Sequence, residues 1–148
     1  MSRFEEILSR DGRLIYKTMG VSMLPMLHEN RDLVVIEPPK ERLRKYDVAL
    51  YKRGTSYVLH RVIKVLESGY LIRGDNTYMD EHVPEEAVIG VLTGFTRKGK
   101  TVSTEDSRYQ RYVRFWCRIY PVRRVMIAVR RLLGRIARKL GLRKPKST

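Results

Sequence analysis

Tyr57-Val58-Leu59-His60-Arg61-Val62-Ile63-Lys64-Val65-Leu66 is followed by Ser68-Gly69 and then by Tyr70-Leu71-Ile72-Arg73. The first run alternates and is rich in Val and Ile, the composition of a pleated strand. Ser68-Gly69 is turn-forming, so the two runs predict an antiparallel hairpin. Outward from it, Leu33-Val34-Val35-Ile36 is a short apolar run stopped by Pro38-Pro39, and Asp47 to Tyr51 is another, ahead of the turn-like Lys52-Arg53-Gly54-Thr55. Ala87 to Phe95 reads as a further strand before a Lys98-Gly99 turn. Short strands at close spacing predict a mainly β, antiparallel domain. Ser2 to Leu8 is expected as a short helix, with Ser2 and Glu5 as a capping box and Gly12 as its end.

The pattern changes near Ser107. Val122, Val125, Met126, Val129, Leu132, Leu133, Ile136 and Leu140 repeat with the period of a helix. Arg123, Arg124, Arg130, Arg131, Arg135, Arg138 and Lys139 fill the positions between them. The segment predicts a cationic amphipathic helix that stops at Gly141. An earlier helical stretch, Ser107 to Tyr120, is expected to be broken by Pro121. Two parts follow from this change: a β domain over 1–104 and a basic helical C-terminal extension over 105–148.

Charge follows the same division. Of the 148 residues, 1–104 hold 17 Lys/Arg and 14 Asp/Glu, a net of +3. Residues 105–148 hold 14 Lys/Arg and 2 Asp/Glu, a net of +12 out of the total of +15. Such a segment attracts polyanions: anionic lipid, nucleic acid or an acidic partner. The one cysteine, Cys117, excludes an intramolecular disulfide. Three histidines without cysteine pairs do not suggest a zinc site, and no cofactor is expected. Residues 1–13 are charged throughout and contain no apolar run, which predicts neither a signal peptide nor a membrane anchor there. Val125 to Val129, the longest apolar run near the C-terminus, is too short to span a bilayer.

Three islands carry candidate chemistry. Ser22 lies in Gly20-Val21-Ser22-Met23-Leu24-Pro25-Met26-Leu27, His60 in the hairpin, and acids in Arg73-Gly74-Asp75-Asn76-Thr77-Tyr78-Met79-Asp80-Glu81. A serine hydroxyl needs a base to become a nucleophile, and histidine has the right pKa for that work. A carboxylate then fixes the imidazole tautomer and stabilises the imidazolium. Asp75 and Asp80 are the candidates from the residues themselves. Singly, each island has a plainer reading: Ser22 as a turn residue, His60 as a packed strand side chain, Asp75 as a turn former. His28, in a turn-like stretch, and His82, beside the acids, are weaker candidates for the base.

Together and in this order, the islands resemble signal peptidase I, whose fold is shared with LexA-type self-cleaving repressors. The serine segment is similar to that family's Ser-Met-x-Pro-x-Leu box. Asn30-Arg31-Asp32-Leu33-Val34-Val35 and Lys45-Tyr46-Asp47-Val48-Ala49 resemble its two Gly-Asp-hydrophobic strands, with Arg31 where glycine is usual. His60-Arg61-Val62-Ile63 resembles its base motif in the form of the endoplasmic-reticulum and archaeal branch, where bacterial members typically have lysine. Gly74-Asp75-Asn76 resembles its Gly-Asp-Asn box, and Val88-Ile89-Gly90 its closing strand; the likeness runs from about residue 17 to 95.

The resemblance implies a LexA/signal-peptidase-like antiparallel β fold and a serine endopeptidase that cleaves a leader or signal-like peptide. Its catalytic residues would be Ser22, His60 and an acid. The family's spacing lands that acid on Glu81; Asp80 is the favoured choice, Asp75 a supporting acid and Glu81 an open alternative. The Ser22 backbone N–H would meet the oxyanion, because Gly20 stands where some relatives place a serine hydroxyl. Peptide or protein substrate is expected as an extended strand, with Met19 to Val21 supplying the edge and small residues selected at the cleavage site. The family's transmembrane anchor has no counterpart in residues 1–13. The expected place is therefore the cytoplasm, or the cytoplasmic face of an anionic membrane contacted through residues 122–140. Nucleic acid is not expected, since no recognition motif accompanies the arginines. The alternatives are a non-catalytic peptide-binding adaptor on the same fold and a polyanion-binding protein acting through its tail.

Overall fold

The computed structural model describes residues 2–141. It holds an eight-stranded antiparallel sheet and three α-helices in the order α1 (Arg3–Asp11), β1 (Leu14–Lys17), β2 (Leu33–Glu37), β3 (Val48–Arg53), β4 (Ser56–Leu66), β5 (Gly69–Arg73), β6 (Glu81–Val83), β7 (Val88–Arg97), β8 (Lys100–Ser103), α2 (Ser107–Arg118) and α3 (Tyr120–Lys139). A mainly β antiparallel fold is therefore present. The sheet runs β1-β2-β7-β3-β4-β5-β6, and β8 pairs with β7. The Tyr57–Arg73 hairpin is β4 and β5, with Arg61 opposite Arg73 and Leu66 opposite Gly69.

The chain divides into two compact units, one ending at Arg114 and the other starting at Phe115. The junction falls inside α2, later than the composition break at 104/105. The reason is burial: Tyr109 and Val113, both in the first turns of α2, are buried. Residues 142–148 of the expected extension lie outside the described residues.

Within the first unit, Leu43, Ala49, Tyr51, Val62, Tyr70, Ile72 and Val83 form one buried cluster, with Val58 packed against it. Strand alternation explains the membership: Ala49 and Tyr51 share a face of β3, and Val58, His60 and Val62 lie across from them on β4. Each fully buried apolar side chain of this size contributes roughly 1.5–3 kcal/mol. The Tyr70 hydroxyl is satisfied inside the cluster by the Leu43 N–H, 3.1 Å away.

The capping box of α1 is formed, with Glu5 N–H donating to the Ser2 hydroxyl and Ser2 N–H to the Glu5 carboxylate, and Gly12 closes the helix at φ 64°. The expected break in the 107–120 stretch is present at Ile119, just ahead of Pro121. Pro121 sits in the first turn of α3, where its missing N–H costs nothing. Two strands have no apolar pattern and escape sequence reading: β6 is only Glu-His-Val, and β8 is Lys-Thr-Val-Ser.

Candidate active site

The serine segment is a tight turn between β1 and β2. Met23, Met26 and Leu27 are buried and anchor it, which leaves Ser22 half-buried at its rim. The base of the turn is locked by Asp32, whose buried carboxylate accepts the His28 N–H at 2.9 Å and the Arg31 guanidinium at 2.6 Å and 2.8 Å. Arg31, and after it the His28 N–H, hold the Asp32 carboxyl below the usual carboxylate range against its burial. Thus Arg31 supplies the partner of the aspartate beside it.

The loop after β5 grips this turn from the other side. Asn76 N–H donates to the Ser22 carbonyl at 2.8 Å, and the Asn76 side-chain amide donates to the Val21 carbonyl at 3.1 Å. Gly74, two residues earlier, also lies against the serine segment. A Cβ placed on it would stand 2.8 Å from the Ser22 carbonyl oxygen, 2.9 Å from Thr77 Cγ2 and 3.0 Å from His60 Nε2. The absence of a side chain at 74 is therefore what lets the imidazole approach the serine segment.

Asp75 faces elsewhere. Its two oxygens take Arg61 Nε and Nη2, both at 2.7 Å, in a buried two-pronged pair. Arg61 has no exposed surface, and its other donors are also used: Nη1 reaches the Tyr46 carbonyl at 2.9 Å and the Tyr109 hydroxyl at 3.2 Å, and Nη2 reaches the Met26 sulfur at 3.1 Å. Burial, with smaller help from the Asp75 and Asp47 charges, outweighs Arg61 and pushes Tyr109 above the usual phenol range. This arginine ties the serine turn, the β3 approach, α2 and the Gly-Asp-Asn loop into one frame. A buried charge held this fully is stable only with its partner in place.

His60, on β4, is buried at the edge of the Tyr51 cluster. Its Nδ1 lies 3.4 Å from Glu81 Oε1 and 3.3 Å from the Tyr51 hydroxyl. Glu81 opens β6, opposite Ile72, and Arg53 at the end of β3 reaches it across β4 and β5. Arg53 Nη1 stands 3.0 Å and 3.1 Å from the two Glu81 oxygens. Burial pulls the His60 pKa below its ordinary value; Arg53 adds to the fall, while Glu81 and Asp75 oppose it. Burial, and then the Glu81 charge, push the Tyr51 phenol far above its ordinary pKa, so its proton stays on.

The three candidate acids lie against different partners. Asp80 pairs with Arg73 and does not face His60, because its side chain leaves the loop one residue before the chain enters β6. Asp75 is held by Arg61. The carboxylate on His60 is that of Glu81, the alternative left open by sequence. His28 belongs to the serine turn through its N–H, and His82 is exposed on β6, its neighbours in the strand facing the other way. Two residues near the imidazole went unread, Tyr51 and Arg53. Strand alternation from Ala49 would have placed both on the His60 face.

No family model matches the chain, and no curated protein does.

Among the described residues, no hydrogen bond joins the Ser22 hydroxyl to His60, and the Ser22 N–H donates to no protein group. The site is thus an imidazole with a carboxylate on one nitrogen, a serine segment beside the other, and a free backbone donor at the serine. Met19 and Val21, just before Ser22 in the chain, and Met79, two residues before Glu81, are exposed, Met19 and Met79 at 83% and 79%. No group of His, Cys, Asp and Glu among the described residues is arranged to hold a metal ion.

Proposed function

We propose that the chain is a serine endopeptidase of the signal peptidase type, on the LexA-like variant of the antiparallel fold, with Ser22 as nucleophile and His60 as general base. The observation that carries this reading is the two-sided setting of His60: Glu81 at Nδ1, and Gly74 opening Nε2 towards the Ser22 segment. With Nδ1 protonated and facing Glu81, the Nε2 lone pair is free to take the Ser22 proton as Oγ attacks a peptide carbonyl. Glu81 stabilises the imidazolium that results, and the Ser22 N–H is the donor proposed for the oxyanion. Nε2 then passes its proton to the leaving amine. Water, deprotonated by the same nitrogen, releases the acyl group and returns the proton to Ser22.

Substrate fits as an extended strand. In the described residues β1 pairs with β2 alone, so its other edge offers backbone donors and acceptors that lead directly into Met19–Val21. The exposed Met19, Val21 and Met79 give that strand an apolar border, and small side chains at the cut suit the closeness of the 74–76 loop.

The proposed place of action is the cytoplasm, with α3 as a peripheral contact to an anionic membrane face. No helix among the described residues is long and apolar enough to cross a membrane. Eight apolar residues of α3 and its C-cap, from Val122 to Leu140, are 44–66% exposed, and arginines flank them. A helix of this kind lies in an interface, with each cation near an anionic surface adding about 1 kcal/mol.

The missing Ser22–His60 hydrogen bond supports a second reading, a peptide-binding adaptor without catalysis. A pool of leader-like peptides, offered with and without phosphatidylglycerol vesicles, separates the two by mass spectrometry of the products. The peptidase reading expects cuts after small residues that vanish in Ser22→Ala and in His60→Ala. Peptide retention without any cut supports the adaptor.

A further inference from the structure

His60 Nδ1 has two neighbours that ask opposite things of it. Glu81 is an acceptor, so beside it Nδ1 carries the proton and Nε2 presents its lone pair. The Tyr51 hydroxyl, at 3.3 Å, keeps its own proton and has two acceptors within reach, the Glu81 carboxylate and, once that carboxylate leaves, Nδ1 itself. A hydroxyl donating to Nδ1 forces the proton onto Nε2, and an Nε2–H cannot accept the proton of Ser22. The two distances, 3.3 Å and 3.4 Å, leave the contest between them close.

Arg53 tips it. Its Nη1 holds both Glu81 oxygens, at 3.0 Å and 3.1 Å, from a side chain that is 57% exposed. The remaining charged group near the imidazole, Asp75, is committed to Arg61. Among the described residues Glu81 is the carboxylate within 3.4 Å of Nδ1, and Arg53 holds both of its oxygens. We propose that Arg53 is a positioning residue that selects the His60 tautomer, holding Glu81 on Nδ1 against the competing Tyr51 hydroxyl. With Glu81 clamped, Nε2 is a base; with Glu81 released, Tyr51 donates to Nδ1 and the base is lost. The selector deepens the peptidase reading and takes its catalytic meaning from it, but the tautomer itself exists whether or not Ser22 attacks anything.

Nitrogen-15 NMR of histidine-labelled full-length chain, with His60 assigned through His60→Gln and recorded at a pH where the ring is neutral, reads the tautomer directly. The wild type is expected with the proton on Nδ1. Arg53→Gln should move the population towards Nε2–H and slow labelling of Ser22 by a fluorophosphonate about tenfold, a loss of the size that small misplacements of a catalytic group produce. Tyr51→Phe should leave the wild-type tautomer. Added to Arg53→Gln it should restore both the Nδ1–H signal and most of the labelling rate, because the competitor is gone. Rescue by a second substitution in the same site is not expected of a merely structural arginine. An unchanged His60 tautomer in Arg53→Gln, or a double variant no better than Arg53→Gln, overturns the selector. Tautomers that switch as described in a chain whose Ser22 never labels would leave the selector standing and sink the peptidase reading.

Discussion

Two arginine–carboxylate pairs border His60, and they differ in almost everything but chemistry. Arg61 and Asp75 are sealed from solvent and joined by two bonds of 2.7 Å, with every remaining arginine donor used. Arg53 and Glu81 are 57% and 27% exposed and share a single nitrogen at 3.0 Å and 3.1 Å. The first pair builds the frame on which the serine turn and the Gly-Asp-Asn loop meet. The second touches the imidazole. An exposed pair contributes about 0–1 kcal/mol to stability, whereas removal of one partner of a buried pair costs about 3–5 kcal/mol. Stability and chemistry are therefore placed in separate pairs, and substitutions should pull them apart.

The largest effect is expected from Asp75→Asn, which leaves Arg61 buried without a counter-charge. Denaturant unfolding should register a loss of about 3–5 kcal/mol, a large share of the stability of a small domain. A variant as stable as the wild type would show that the buried pair is not the frame. Glu81→Gln should do the reverse: melting shifts little, while the rate of fluorophosphonate labelling falls by about 10²–10⁴-fold. Its pH profile carries a sign. Neutral His60 is the reactive form, so the wild-type rate rises with pH through a midpoint below the ordinary histidine value of about 6.5. Glu81 favours the imidazolium, so its loss should move that midpoint lower still; an upward move contradicts the contact at Nδ1.

Gly74→Ala is intermediate. A methyl there meets the Ser22 carbonyl oxygen and His60 Nε2, and labelling should slow by about 10–100-fold with the fold retained, as circular dichroism would check. Wild-type labelling would mean the two segments need not approach at 74. Asp80→Asn should change least, within about 1 kcal/mol in stability and about twofold in labelling, since Asp80 pairs with Arg73 alone on a partly exposed surface. A loss as large as that of Glu81→Gln would return the orienting role to Asp80.

Local pattern was enough for much of the fold. The alternating Tyr57–Leu66 run, its Ser68-Gly69 turn and the capping box at Ser2 all encode their structure within a few residues. Strands β6 and β8 do not: their few residues have no apolar period and are held by pairing with β5 and β7. The site divides in the same way. Ser22, His60 and Gly74 stand in settings that single them out along the chain. Choosing among Asp75, Asp80 and Glu81 requires knowing which carboxylate a distant strand turns towards Nδ1, and that depends on β6, the strand sequence does not announce. Arg61 illustrates the limit most clearly. Nothing local tells that this arginine, rather than the histidine before it, takes the aspartate of the Gly-Asp-Asn loop.

The central claim is that Ser22 is a nucleophile activated by His60. Treating the intact chain with a fluorophosphonate and mapping the adduct by mass spectrometry tests it most directly. The account predicts one adduct, on Ser22, which disappears in His60→Ala while the circular dichroism spectrum stays that of the wild type. An unmodified Ser22 in the wild type, or an adduct that forms as fast without His60, would contradict it.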